Sequence, residues 1–162
     1  MDKGETLLLT NELISRRYLV ERNKLEGLFE YLSVPDYIVL HVMEGIQSSQ
    51  EIYGDRTYLK DLAEKMQLSI HRTSQIARRL RDRGLISWSH DDNGSEGTYI
   101  SMTDSARELL EKQKEKIRED FGKVIEKFGR DNLIELLQLL KRLDTVIGGE
   151  FEEVNEELEE GE

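Results

Sequence analysis

Between residues 57 and 103, apolar and polar positions alternate with two different periods, and the switch between them sets the architecture. Leu59, Leu62, Ala63 and Met66 recur at i, i+3, i+4, i+7, and Thr73, Ile76, Ala77 and Leu80 repeat the same spacing. Each set is one buried stripe of a 3.6-residue helix. Gln67-Leu68-Ser69 separates them, with Ser69 placed to cap the second helix and Gly84 placed to stop it. Two short helices joined by such a turn, over about residues 58–83, have helix-turn-helix spacing. Leu85 to Ser89 and Thr98 to Met102 then have strand composition, and residues 91–97 between them have turn chemistry. A helix-turn-helix followed by a hairpin wing, here about 85–102, is a winged helix.

The flanks are helical. Residues 6–31, with Leu9, Leu13, Leu25, Leu28 and Phe29, predict one long amphipathic helix, straight or bent. Pro35 suits the first turn of a helix over 35–47 in which His41 reads as a packed histidine rather than a ligand. Thr103 can cap a helix over 104–128 whose stripe is Leu110, Ile117, Phe121, Val124 and Phe128. Gly129 breaks it, Asp131 can cap a last leucine-rich helix, and Gly148-Gly149 ends that one. These terminal helices are more apolar than a thin monomer needs, so they predict a partner helix, most simply from a second copy. The expected fold is mainly α with a small β-hairpin wing. It is a winged helix-turn-helix flanked by N- and C-terminal dimerisation helices at about 6–31 and 104–147, one domain over 1–149, with an acidic tail over 150–162.

Charge sharpens the picture. The 162 residues carry a net charge of −11, yet residues 69–83 hold five arginines and one aspartate. Eight glutamates and no cation fill the tail, so the rest of the chain carries only −3. Turning 100° per residue puts His71, Ser74, Gln75 and Arg78 opposite the buried stripe, with Arg72, Arg79, Arg81 and Arg83 on the flanks. Arginine can bind guanine O6/N7, glutamine adenine N6/N7 and serine either, so this face suits a major groove. The flanking arginines suit phosphates. No cysteine is present, which excludes disulfides and thiolate chemistry. His41, His71 and His90 lack ligand spacing, and no catalytic constellation, cofactor motif or metal site stands out. The missing constellation predicts that the protein is not an enzyme, and the absence of any stretch of roughly 18 apolar residues predicts a cytoplasmic one.

Leu62-Ala63-Glu64, the turn at Leu68-Ser69, Leu80 followed by Arg83-Gly84-Leu85-Ile86, and Met102-Thr103 opening another helix resemble the MarR family of bacterial transcription regulators. Leu32 to Leu40 is similar to the family's second helix, so the resemblance covers most of residues 6–147. It implies a homodimer that places helix 70–83 in the major groove of a palindromic operator, with His71, Arg72, Ser74, Gln75, Arg78 and Arg79 on the DNA. It further implies a small aromatic effector between the dimerisation helices and the DNA-binding lobe, where Tyr18, Phe29 and Tyr37 are candidates; as plain core they need no ligand. The wing departs from the family. Its tip reads Asp91-Asp92-Asn93-Gly94-Ser95-Glu96 without arginine, and Trp88 stands where a strand arginine is usual. Acids there are repelled by phosphate, leaving His90 as the one candidate contact. The alternative reading is a winged-helix interaction module that has lost operator binding.

Overall fold

The helix-turn-helix forms because both of its turns are chemically specified. In the computed structural model, which describes residues 2–23, 26–49, 52, 54–91 and 97–159, Ser69 caps helix α4 (Ile70–Asp82) by accepting from the Arg72 N–H at 3.2 Å. At the other end Leu85 N–H donates to Leu80 O and Gly84 N–H to Arg81 O, both at 2.9 Å, with Gly84 at φ 73°. This pair of bonds is a Schellman stop, and Leu80 and Leu85, both buried, close its apolar side. Helix α3 (Leu59–Met66) ends on the same pair of bonds, Leu68 N–H to Ala63 O and Gln67 N–H to Glu64 O, but its left-handed residue is Gln67 at φ 55°, which carries a Cβ.

Helix α1 (Lys3–Asn23) is followed by a 3-10 turn (Glu26–Leu28) and by helix α2 (Val34–Ser48). Ser33 caps α2 by accepting from Asp36 N–H, and Pro35 lies in its first turn as the sequence predicts. A three-stranded antiparallel sheet has the order β1 (Thr57–Tyr58), β3 (Thr98–Met102), β2 (Ile86–His90). In its register Thr57 faces Ile100 and Tyr58 faces Tyr99, while Ile86 faces Met102 and Trp88 faces Ile100. Thr98, Ile100 and Met102 are buried, so the intervening Tyr99 and Ser101 lie on the outer face. Leu40, Met43, Leu62, Ala77, Leu80 and Ile100, each at 0% exposure, form the centre of the core. Thr103 locks the last element on: its hydroxyl donates to Gly84 O at 2.8 Å and accepts from Ala106 N–H, starting helix α5 (Asp104–Phe128).

The chain divides into two units, Met1–Ile117 and Arg118–Glu162. The second comprises the end of α5, Gly129 at φ 98°, and helix α6 (Arg130–Glu159). Its apolar residues Phe128, Leu136, Leu137, Leu139, Val146 and Phe151 are exposed.

Four expectations need correction. The helix predicted over 6–31 stops at Asn23; beyond the turn, the backbone of Leu28, Tyr31 and Leu32 bonds to the Gln113 side chain instead of to a helix. Nor is α1 amphipathic, because Leu7, Leu8 and Leu9 point in successive directions and all three are exposed. Asp131 does not cap α6; it lies in the first turn, after Gly129, where its charge favours the helix dipole. Gly148-Gly149 does not end α6, which runs on to Glu159 through much of the expected tail. Two helical glycines cost about 1 kcal/mol each relative to alanine, which a helix of this length tolerates. The two-residue strand β1 was not expected.

Candidate nucleic-acid interface

Helix α4 carries a buried side and a polar side, as its spacing predicts. Thr73, Ala77 and Leu80 are buried and Ile76 is half-buried, while His71, Arg72, Gln75, Arg78 and Arg79 are exposed and Ser74 is half-exposed. Gln75 Nε2 lies 3.1 Å from His71 Nε2, a contact that holds the two side chains together one turn apart.

The five arginines separate into two groups. Arg83 pairs with Asp36 of α2, and Arg81 lies 3.4 Å from Asp82 with its guanidinium 5.9 Å from the Trp88 ring centre. These two expected phosphate contacts are engaged within the domain. Among the described residues, Arg72, Arg78 and Arg79 have no ion-pair partner, so the outward charge of α4 is theirs. The hydrogen-bonding groups and cations of this face match base edges and phosphates.

On the wing, Trp88 is half-buried against the core, so it fills space where an arginine would carry charge. His90 Nδ1 lies 3.0 Å from Thr98 Oγ1 and ties the two strands together. The acidic tip, residues 92–96, lies outside the described residues. Towards the tip end of the wing, Tyr58 OH donates to Asp91 Oδ2 at 2.9 Å and Arg56 lies 4.6 Å over the Tyr99 ring. Arg56 has its pKa raised by its hydrogen bond with Tyr58 and by the fields of Tyr99, Tyr58 and Asp91, against a smaller opposing effect of burial.

Phe29 packs edge-on against Tyr37, with centres 5.5 Å apart, and Tyr37 stacks on His41 at 5.9 Å. The Tyr18 side chain lies outside the described part of the molecule. A mostly apolar groove of about 600 Å³ lies elsewhere, between the start of α2 and the inner edge of α4, lined by Pro35, Ile38, Met66, Ile76 and Arg79. Sequence reasoning missed Gln113, which is fully buried; its signal was a polar residue in step with Ala106, Leu110 and Ile117. Among the described residues, no three His, Asp or Glu side chains come together to hold a metal ion. No helix among them is long and apolar enough to cross a membrane.

A helix-turn-helix with one polar, basic face, followed on the same core by a two-stranded hairpin, is a winged helix-turn-helix domain. No family model matches the sequence, and no curated protein matches it. Solved structures do. The organohalide-sensing transcriptional regulator RdhR in its ligand-free form matches 93% of this chain and 89% of its own at 19% identity, with a TM-score of 0.71. A mutant MarR from E. coli in complex with operator DNA matches 88% of this chain and 99% of its own at 15% identity, with a TM-score of 0.66. PcaV from Streptomyces coelicolor, a transcriptional regulator in complex with its natural ligand, matches 85% and 89% at 17% identity, with a TM-score of 0.63. The fold of this chain is the MarR fold.

Proposed function

We propose that the protein is a dimeric, sequence-specific transcription regulator of the MarR type, cytoplasmic and non-enzymatic, that sets α4 into the major groove of a palindromic operator. The observation that carries this reading is the exposure of His71, Gln75, Arg72, Arg78 and Arg79 on a helix whose opposite side is buried. Gln75 and Arg78 are the base-reading pair in this proposal, with Ser74 and His71 beside them, and Arg72 and Arg79 meet phosphates. Leu8 and Ile14 of α1 and, separately, Leu137 and Val146 of α6 are each at least 55% exposed, apolar faces that a second copy would cover.

A small aromatic effector is part of the proposal, supported by RdhR having also been solved in a 2,4-dichlorophenol-bound form. The groove beside Met66 and Ile76 suits such a ligand better than the Phe29–Tyr37 pair, whose rings already pack on each other. Occupancy there would bear directly on α4.

The test is a mobility-shift titration at moderate salt on the DNA upstream of the protein's own gene, paired with sedimentation in dilute solution. A dimer that shifts one fragment in preference to bulk DNA is expected. A folded monomer, or a dimer with no preference among fragments, would sink the reading and leave the interaction module.

A further inference from the structure

We propose that strand β1 positions the wing, with Tyr58 and Asp91 as the clasp that fixes the angle at which the hairpin leaves the core. The part of this inference that concerns DNA rests on the regulator reading above.

Three strands meet at this point. Tyr58 OH donates to Asp91 Oδ2 at 2.9 Å, across 33 residues of sequence. The Tyr58 ring meets Tyr99 edge-on, 5.6 Å between centres, and the Arg56 guanidinium covers the same Tyr99 at 4.6 Å. Asp91 N–H donates to Gly97 O at 2.8 Å, closing the hairpin just below its tip. The other carboxylate oxygen lies where a side chain at residue 97 would begin: a Cβ built on Gly97 falls 1.7 Å from Asp91 Oδ1. Glycine at 97 is therefore a condition for the carboxylate to take this position.

The chemistry explains what an acid is doing just below the tip of the hairpin. Residues 85–102 contain no lysine or arginine, so the hairpin has no cation of its own to hold it against phosphate. What it has is a fixed direction. Asp91, which the sequence suggests should be repelled by DNA, is turned onto the domain, where a hydroxyl satisfies it and Arg56 lies close by. In this arrangement Asp91 and Tyr58 are positioning residues: they touch no base, and they determine where the hairpin tip meets the duplex.

The test uses the full chain and Tyr58→Phe, which removes one oxygen and keeps the ring. Without DNA, amide exchange at Asp91 should be roughly tenfold faster in Tyr58→Phe, the size expected when a charge-assisted hydrogen bond is lost. Asp91→Ala should match it, and Asp91→Asn, which can still accept from the hydroxyl, should stay near wild type. Unchanged exchange in Tyr58→Phe overturns the clasp. With DNA, the probes are a duplex selected by the wild type from random sequence and the same duplex trimmed of its outer flanks. Tyr58→Phe should bind the long duplex several-fold more weakly and the trimmed one like wild type. Equal loss on both, or none on either, overturns the positioning role. A wild type that selects no duplex overturns the regulator reading, and the exchange experiment still decides the clasp.

Discussion

Arg83 at the end of α4 is paired with Asp36 in the first turn of α2. The aspartate is 14% exposed and the arginine 51%, so the pair is half in solvent and its net contribution is about 1 kcal/mol. Arg83 is therefore held within the domain rather than offered on the outward face of α4. Arg83→Ala should lower stability by about that amount in denaturant titration. It should leave the salt dependence of DNA binding unchanged. A slope that falls as it does for loss of an outward arginine would show that Arg83 leaves Asp36 on the duplex.

Base reading and phosphate positioning should separate on α4. Alanine at Gln75 or Arg78 should cost roughly 1–3 kcal/mol on the preferred site and relax specificity at one position per half-site. Alanine at Arg72 or Arg79 should weaken all sequences alike and reduce the salt slope by about one per arginine bound. Binding measured on a set of single-base operator variants checks both. The same profile for the two pairs would mean that α4 enters the groove on another edge.

Gln113 is the third site. Its Oε1 accepts from Tyr31 N–H at 3.1 Å and Leu32 N–H at 3.2 Å, and its Nε2 donates to Leu28 O at 2.8 Å. Gln113→Leu would keep the volume and leave three backbone groups without their partner, at a cost of about 3 kcal/mol. Gln113→Glu can still accept from both N–H groups but cannot donate to the carbonyl, so it should fall between. Thermal and denaturant midpoints decide, and a leucine variant as stable as wild type would show that water replaces the amide.

Lys114 gives a pH signature. Burial works against its charge, but hydrogen bonds to Glu44 and Glu111 outweigh that and raise its pKa above the ordinary 10.5. A pKa higher in the folded than in the unfolded state means stabilisation that is complete below 10.5 and lost as pH rises through the folded value. The stability difference between wild type and Lys114→Met should therefore be flat through neutral pH and shrink only in strong alkali. A difference that already disappears between neutral pH and the lysine range would overturn this account.

How much of this was legible in the sequence depended on how local the cause was. Ser69, Gly84 and the Thr73–Ile76–Ala77–Leu80 stripe act within one helix, and α4 formed where they place it. Both wing strands were legible for the same reason, since alternation and turn residues lie side by side. The strand β1 was not, because two residues carry no period and Thr57 becomes a strand only by pairing with Ile100. The non-helical path of Leu28 to Leu32 was hidden because its partner, Gln113, is more than 80 residues away. The fate of Arg83 was hidden likewise: on a helical wheel it flanks the polar face, and only the packing of α2 brings Asp36 to it. Residues of an outward helix face point away from the core and so declare themselves by pattern. Residues that hold that helix in place depend on long-range partners.

Gln67 leaves the domain with unused thermodynamic headroom. A residue with a Cβ held at φ 55° bears about 1 kcal/mol of conformational cost that glycine would not, offset in part by glycine's greater freedom when unfolded. Gln67 is exposed, and its N–H caps α3 through the backbone, which any residue can do. Stability is thus available at the hinge of the helix-turn-helix without altering a single group on the outward face of α4, and selection for stability alone would favour glycine there.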